Sequence, residues 1–325
     1  ASGCLFINPT PEEMLRFAEK KEKNEAEASR LRTLTALPAV TKSGKRIALY
    51  ANIGSPAEAE AAHRSGAEGI GLFRSEFLFM GRGDLPSEDE QYEAYSRVAR
   101  LFSDRAGPVV IRTLDVGADK ALPALGSEAE DNPALGMRGI RLCLEKTAIF
   151  RTQLRAILRA SAHGRVAIML PMVTNIDEIR RTKRLIAEEK NRLRFEEVEF
   201  DENIGVGIMI ETPAAAIMAK ELAGECDFFS VGTNDLFQYT LAADRQNSRL
   251  AYLTEAESGL EPVLRLIRLA SDGIHAAGED KWIGICGEMA ADTALTEALL
   301  GAGADELSVS TPYIARVKEK IRGIE

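Results

Sequence analysis

From residue 47 onward the chain repeats one beat: a short apolar run, a polar loop, then a segment of helical periodicity. The runs are IALYANI (47–53), GIGLF (69–73), VVIRTLDV (109–116), VAIMLPMV (166–173), GVGIMIE (205–211), FFSVGTND (228–235), WIGICGE (282–288) and ELSVS (306–310). Between them lie amphipathic stretches such as SEDEQYEAYSRVARLF, KTAIFRTQLRAILRASAHG and EPVLRLIRLASDGIHAAG. Strict alternation of strand and helix implies a parallel sheet, because a parallel crossover needs a helix-length connection. Eight such units over about 280 residues predict an α/β fold of the (β/α)8 TIM-barrel type. A doubly wound open sheet is the alternative. The Gly66, Gly69, Gly71 cluster gives it little support, since those glycines lie before and inside a strand, whereas a dinucleotide fingerprint follows one.

Residues 1–40 have a different texture. The stretch PEEMLRFAEKKEKNEAEASRLRTL (11–34) is dense in Glu, Lys, Ala and Arg, with Met14, Leu15, Ala18, Leu31 and Leu34 as sparse apolar points. That pattern predicts a mostly solvated connector helix. The expected organisation is thus an N-terminal, largely helical linker over 1–40 and a barrel over 41–325.

A net charge of −9 on 325 residues argues against a nucleic-acid binder, which needs clustered Lys and Arg. Cys4, Cys143, Cys226 and Cys286 form no CxxC pair, which argues against zinc and disulfide frameworks and makes a reducing cytoplasm the expected compartment. No uncharged run approaches the ~20 residues needed to span a bilayer, so no membrane association is expected. The opening Ala1-Ser2-Gly3-Cys4 is read as accident or as the cut end of something longer.

In a barrel the C-terminal ends of the strands converge on one mouth. The two runs ending in Glu211 and in Thr233, Asn234 and Asp235 then bring two carboxylates together, a natural site for a hard divalent cation such as Mg2+. The bland reading is that both acids merely cap the following helices. The second run ends in Arg74, Ser75 and Glu76, and the third carries Arg112 and ends in Asp115. Arginines in apolar strands need anionic partners. Either they form an internal network with Glu76, Asp115 and Glu211, or they clamp a phosphate or carboxylate in two-pronged fashion. Cys286, flanked by Gly284 and Gly287, should face the same mouth; an unperturbed thiol, pKa about 8.5, is largely protonated at neutral pH and can donate a proton. His63, His163 and His275 are read as structural.

The segments FRSEFLFM (73–80), IRTLDVGADK (111–120), NPALGMRGIR (132–141), IETPAAA (210–216), SVGTNDLFQYTLAADR (230–245) and GICGEMA (284–290) resemble, in order, the phosphoenolpyruvate-binding barrel of the enzyme I family. That family begins the bacterial phosphoenolpyruvate:sugar phosphotransferase system. Pyruvate phosphate dikinase and phosphoenolpyruvate synthase share the barrel, but the first two motifs look closer to enzyme I. The resemblance covers essentially residues 40–325. It implies Glu211 and Asp235 as Mg2+ ligands, with Asp235 also at the substrate, and Arg74 and Arg112 as a phosphate clamp supported by Lys120 and Arg138. It further implies that Asn234 and Arg245 bind the substrate's phosphate and carboxylate end and that Cys286 protonates C3 of the enolate. The reaction implied is phosphoryl transfer from phosphoenolpyruvate to a histidine, leaving pyruvate. Homodimerisation through this domain and a phosphocarrier protein as downstream partner are implied as well.

The family's phosphorylated histidine lies in a separate N-terminal domain, in a motif ending Thr-Ser-His that this sequence lacks. The chain is therefore expected to be either the C-terminal half of a longer protein or a stand-alone relative. Three local departures are Ala118 in place of a second Gly, Phe237 in place of Thr, and residues 255–263 in place of the family's His-Pro-Ala-Val. Two other functions fit a strand-end Glu and Asp: a Mg2+-enolate lyase or aldolase, which would not need Cys286, and a non-catalytic phosphoenolpyruvate sensor.

Overall fold

The eight apolar runs form eight strands: β1 (Ala48–Ile53), β2 (Ile70–Arg74), β3 (Val109–Arg112), β4 (Val166–Leu170), β5 (Gly205–Ile210), β6 (Phe228–Gly232), β7 (Trp282–Cys286) and β8 (Glu306–Ser310). Each pairs in parallel with the next, and β8 returns to β1, so the sheet closes into a barrel. The computed structural model describes residues 6–116, 130–244, 247–250, 252–253 and 257–325.

Closure explains the sequence texture. A strand covered by helices outside and by its neighbours' side chains inside is buried on both faces, so it reads as a continuous apolar run rather than an alternation. β4 is buried at all of its positions. Its outward residues Val166, Ile168 and Leu170 join the large core beneath the helices, while Ala167 and Met169 join a second cluster with Leu72, Val110, Met209, Phe228 and Cys286 inside the barrel. Trp282 and Phe228, the first residues of their strands, stack with ring centroids 5.0 Å apart and plug the lower end.

The helices, in order, are α1 (Pro11–Arg32), α2 (Pro56–Arg64), α3 (Glu88–Leu101), α4 (Ile140–Glu145), α5 (Thr147–Ala160), α6 (Ile176–Phe195), α7 (Pro213–Ile217), α8 (Ala219–Ala223), α9 (Thr233–Leu241), α10 (Glu257–His275), α11 (Glu288–Ala291), α12 (Thr296–Gly301) and α13 (Ile314–Gly323). α1 begins where expected: Thr10 and Glu13 form a capping box and Pro11 occupies the first turn. Its long face stays exposed, and it meets the barrel through ion pairs Arg30–Glu319 and Arg316–Glu27 to α13.

Several strands stop short of the apolar runs. β4 ends before Pro171, which has no N–H for the ladder, and Met172 turns the chain at φ 58°. After Gly232 the backbone enters α9 at once, so Asn234 and Asp235 belong to the first turn of a helix rather than to a strand end. Among the described residues, no helix is long and apolar enough to cross a membrane.

Candidate active site

At the C-terminal end of the barrel lies a cavity of about 880 Å³, lined by residues from β2, β3, β5, β6 and β7 and the loops after them. The described residues assigned to metal, substrate or proton transfer from the sequence border it: Arg74, Arg112, Arg138, Glu211, Asn234, Asp235 and Cys286. Lys120 and Arg245, and with them Ala118, lie outside the described residues. The three histidines lie elsewhere, His63 paired with Asp104 at 3.0 Å, His163 with Tyr92 at 2.7 Å and His275 with Asp305 at 2.8 Å.

Glu211 emerges at the end of β5 and is buried. It does not cap the helix after it. Thr212 does that, its hydroxyl accepting from Ala215 N–H at 3.1 Å. Glu211 Oε2 instead accepts from the Met172 N–H at 2.8 Å. The left-handed backbone at Met172, uncommon outside glycine, thus turns a donor toward this carboxylate. Asp235 likewise is no cap, since Gly232 holds that position on α9.

A third carboxylate completes the group. Asp115, three residues beyond β3, joins Glu211 and Asp235 with ligand oxygens all within 4.8 Å of one another. The sequence reading placed Asp115 at this mouth only as a partner for arginine. Oxygen-only donors at this spacing suit a hard divalent cation. Burial, with the charges of Asp115 and Asp235, pushes the Glu211 carboxyl up to about 8, against the pull of Arg112 and Arg138.

The arginines take two different positions. Arg112 is buried and bonds to Glu76, to Asp115 at 3.1 Å and to Glu211 at 3.7 Å. Burial alone would depress its guanidinium, but the three acids more than offset that and hold it above its ordinary value. The internal network considered from the sequence is therefore present at Arg112. Arg74 departs from that expectation. It ends β2 exposed on the cavity wall, with no carboxylate partner among the described residues. Arg138 reaches in from the loop before α4, bonding Asp115 at 3.1 Å, Asp235 at 3.2 Å and the Tyr239 hydroxyl at 3.1 Å. Tyr239 was not picked out from the sequence, although it sits four residues beyond Asp235 on α9 and so on the same helical face.

Cys286 ends β7 inside the barrel, 2% exposed, its thiol donating to Val231 O at 3.3 Å. Burial first, then Glu211, pushes the thiol up to about 12, so it holds its proton at neutral pH. The next residue, Gly287, has φ 89°, and a Cβ there would collide with the Thr233 hydroxyl. Only glycine lets the chain turn here and bring Glu288 N–H to Asn234 Oδ1 at 3.1 Å. Phe237, which replaces the family's Thr, faces away from this mouth into the outer core.

Comparison with known proteins agrees with this geometry. Residues 28–325 match the family described as PEP-utilising enzyme, PEP-binding domain. The phosphoenolpyruvate-protein phosphotransferase of Geobacillus stearothermophilus is 47% identical over 320 residues, covering 98% of this chain and 54% of that protein. Its namesake in Staphylococcus aureus is 45% identical over 323 residues, covering 99% of this chain and 55% of that one. The chain thus spans about half the length of the curated relatives it matches. A crystal structure titled as a citrate lyase from Burkholderia xenovorans LB400 shares the fold, with a TM-score of 0.52 and 17% identity over 87% of this chain and 80% of that one. The chain belongs to the PEP-utilising enzymes and contains their PEP-binding domain.

Proposed function

We propose that the barrel binds phosphoenolpyruvate together with Mg2+ and serves as the C-terminal half of a phosphoenolpyruvate-protein phosphotransferase. In this reading residues 1–40 link the barrel, over 41–325, to a domain bearing the acceptor histidine, and through it to a phosphocarrier protein. The protein acts in the cytoplasm, as a homodimer through this domain. The observation that carries the reading is the convergence of three acids, three arginines and a protonated thiol on one cavity.

Asp115, Glu211 and Asp235 would hold Mg2+, which when bound neutralises developing charge and polarises the substrate's oxygens. Arg74, exposed and with no carboxylate partner among the described residues, offers its two-pronged guanidinium to the phosphate. Arg112 and Arg138 now neutralise the same acids that a cation would take, so cation and anionic substrate should bind cooperatively. Asn234 orients the substrate from the first turn of α9, and Lys120 and Arg245 are assigned to the phosphate and carboxylate end by resemblance. Once the phosphoryl group has moved to histidine, the Cys286 thiol gives its proton to C3 of the enolate, and pyruvate results.

Calorimetric titration of phosphoenolpyruvate into this chain, with and without Mg2+, tests the reading. Saturable binding that requires the metal is expected. Binding indifferent to Mg2+, or none in either condition, would overturn it.

A further inference from the structure

Behind the mouth, on the helix side of the barrel, a buried amide bonds to two of the loops that build the site. Gln153 of α5 is 1% exposed and shares the buried face of that helix with Phe150, Leu154 and Ile157. A polar amide among apolar side chains costs free energy unless each of its groups finds a partner. Gln153 finds three. Its Oε1 accepts from the Leu114 N–H at 2.8 Å, and its Nε2 donates to the Ser75 hydroxyl at 3.0 Å and to the Tyr95 hydroxyl at 3.1 Å. The orientation of the amide is fixed, because the Leu114 N–H can only donate and must therefore face the oxygen. Tyr95 donates in turn to Gln91 Oε1 at 3.3 Å, and Gln91 donates to the Pro86 carbonyl at 3.2 Å.

Two of these three partners lie beside residues of the site. Ser75 follows Arg74 and precedes Glu76, and Leu114 precedes Asp115. Leu114 is held from its other side as well, its carbonyl accepting from the Cys143 thiol at 3.5 Å. One side chain thus ties the residue next to the phosphate-facing arginine to the residue next to a metal-facing acid. Arg112 joins the same two loops from the cavity side, through Glu76 and Asp115. Asp115, however, is an acid that a cation would claim. Gln153 does not line the large cavity, so its bonds need not be given up when ligands enter.

We propose that Gln153 is a positioning residue, a clasp that couples the metal half of the site to its phosphate half. The inference rests on the reading above, in which the cavity binds phosphoenolpyruvate with a divalent cation. A cation that draws on Asp115 acts on Leu114, and through Gln153 on Ser75, which sets Arg74 toward the phosphate. The coupling is reciprocal, since phosphate held by Arg74 acts back on Asp115 along the same bonds. Gln153 itself touches neither ligand. Tyr95 supplies an internal comparison. Its bond to Gln153 is as buried as the other two, but it leads away from the site, to Gln91 of α3 and the turn before that helix.

The test uses Mn2+, a hard ion that the same oxygen ligands take, and counts its unbound form by electron paramagnetic resonance. Mn2+ affinity is measured for this chain and its variants without and with saturating phosphoenolpyruvate. The ratio of the two dissociation constants is the coupling. Gln153→Met keeps the length of the side chain but removes all three bonds. It should cut the coupling about 2- to 30-fold, the range that single changes along a connecting path produce. Ser75→Ala removes only the link to the loop after β2 and should cut the coupling within that range. Tyr95→Phe strands the same amide, so it should lower the melting temperature yet leave the coupling at the parental value. Parental coupling in folded Gln153→Met or Ser75→Ala overturns the clasp alone. An equal fall in Tyr95→Phe overturns it too, since lost stability would then explain the effect. A parent chain whose Mn2+ affinity is indifferent to phosphoenolpyruvate overturns the proposed function and the clasp with it. Should Gln153→Met not fold, Ser75→Ala carries the same test.

Discussion

Two of the arginine–carboxylate networks among the described residues differ in what surrounds them. On the outer wall, Arg155 of α5 bonds Glu88 of α3 at 2.8 Å and Glu196, just past α6, at 2.7 Å. Arg159 meets Glu88 at 2.6 Å and Asp89 at 2.8 Å, and Arg151 pairs with Glu188 and Glu189. Two of its exposed acids settle below their ordinary range, Glu188 through its bond to Arg151 and Glu196 through its bond to Arg155. At the barrel mouth, among the described residues, Arg112 and Arg138 are shared by Glu76, Asp115, Glu211 and Asp235, and Glu211 rises to about 8. The outer network is satisfied, none of its side chains being buried without a partner. The inner one opens onto about 880 Å³. Counting ion pairs would rank the two alike. The opposite shifts of Glu211 on one side and of Glu188 and Glu196 on the other separate the mouth from a brace between helices.

The comparison breaks most sharply at Glu211. Glu211→Gln keeps the shape but removes one anionic ligand, and Mg2+-dependent affinity for phosphoenolpyruvate should fall by more than about 100-fold, since even outer-shell changes cost 10–100-fold. Unchanged calorimetric titrations would sink the metal assignment. Next in size is a pH effect. A cation must displace the proton that Glu211 holds below about 8, so Mg2+ affinity should climb from pH 5 and level off above pH 8. The sign for stability is opposite. A carboxyl raised in the native state binds more protons folded than unfolded, so the metal-free chain should lose stability as pH rises from the ordinary carboxylate range toward 8. Mg2+ should abolish that loss. Melting curves whose pH slope is the same with and without the ion would show that Glu211 does not carry the deficit.

Most of the barrel could be read from the sequence because each buried strand advertises itself as an apolar run and each helix by its period. The site was legible to the extent that strand ends converge: Glu211, Asp235, Arg112 and Cys286 needed only the barrel to be brought together. What the sequence withheld was pairing over long separations. Nothing in the order of residues says that Arg138 bonds Asp235, or that Asp115 sits close enough to Glu211 to share a cation. Gln153 was hidden for a different reason. A lone amide on the apolar face of a helix reads as an exception to its period, and only the fold brings Leu114 and Ser75 to it.

Arg112→Lys sharpens the comparison at an intermediate scale. The charge remains, but the fork that serves Glu76, Asp115 and Glu211 at once is lost. Phosphoenolpyruvate affinity should drop about 10- to 150-fold, the loss of one charge-assisted bond of roughly 1.5–3 kcal/mol. Equal affinity would reduce Arg112 to a structural partner of the acids.

The smallest effect belongs to the outer network. Arg155→Lys removes one prong from a partly exposed cluster, worth no more than about 1 kcal/mol, and should lower the melting temperature by a few degrees at most. Affinity for phosphoenolpyruvate should not change. This control can fail in an informative way. Two residues before Arg155 on the same helix, Gln153 accepts from Leu114 N–H at 2.8 Å and donates to the Ser75 hydroxyl at 3.0 Å. Those bonds reach the loops that carry Asp115 and Arg74 into the mouth. If Arg155→Lys weakened substrate binding, the brace would be holding α5, and through Gln153 the site, in register, and the two networks would be one device rather than two.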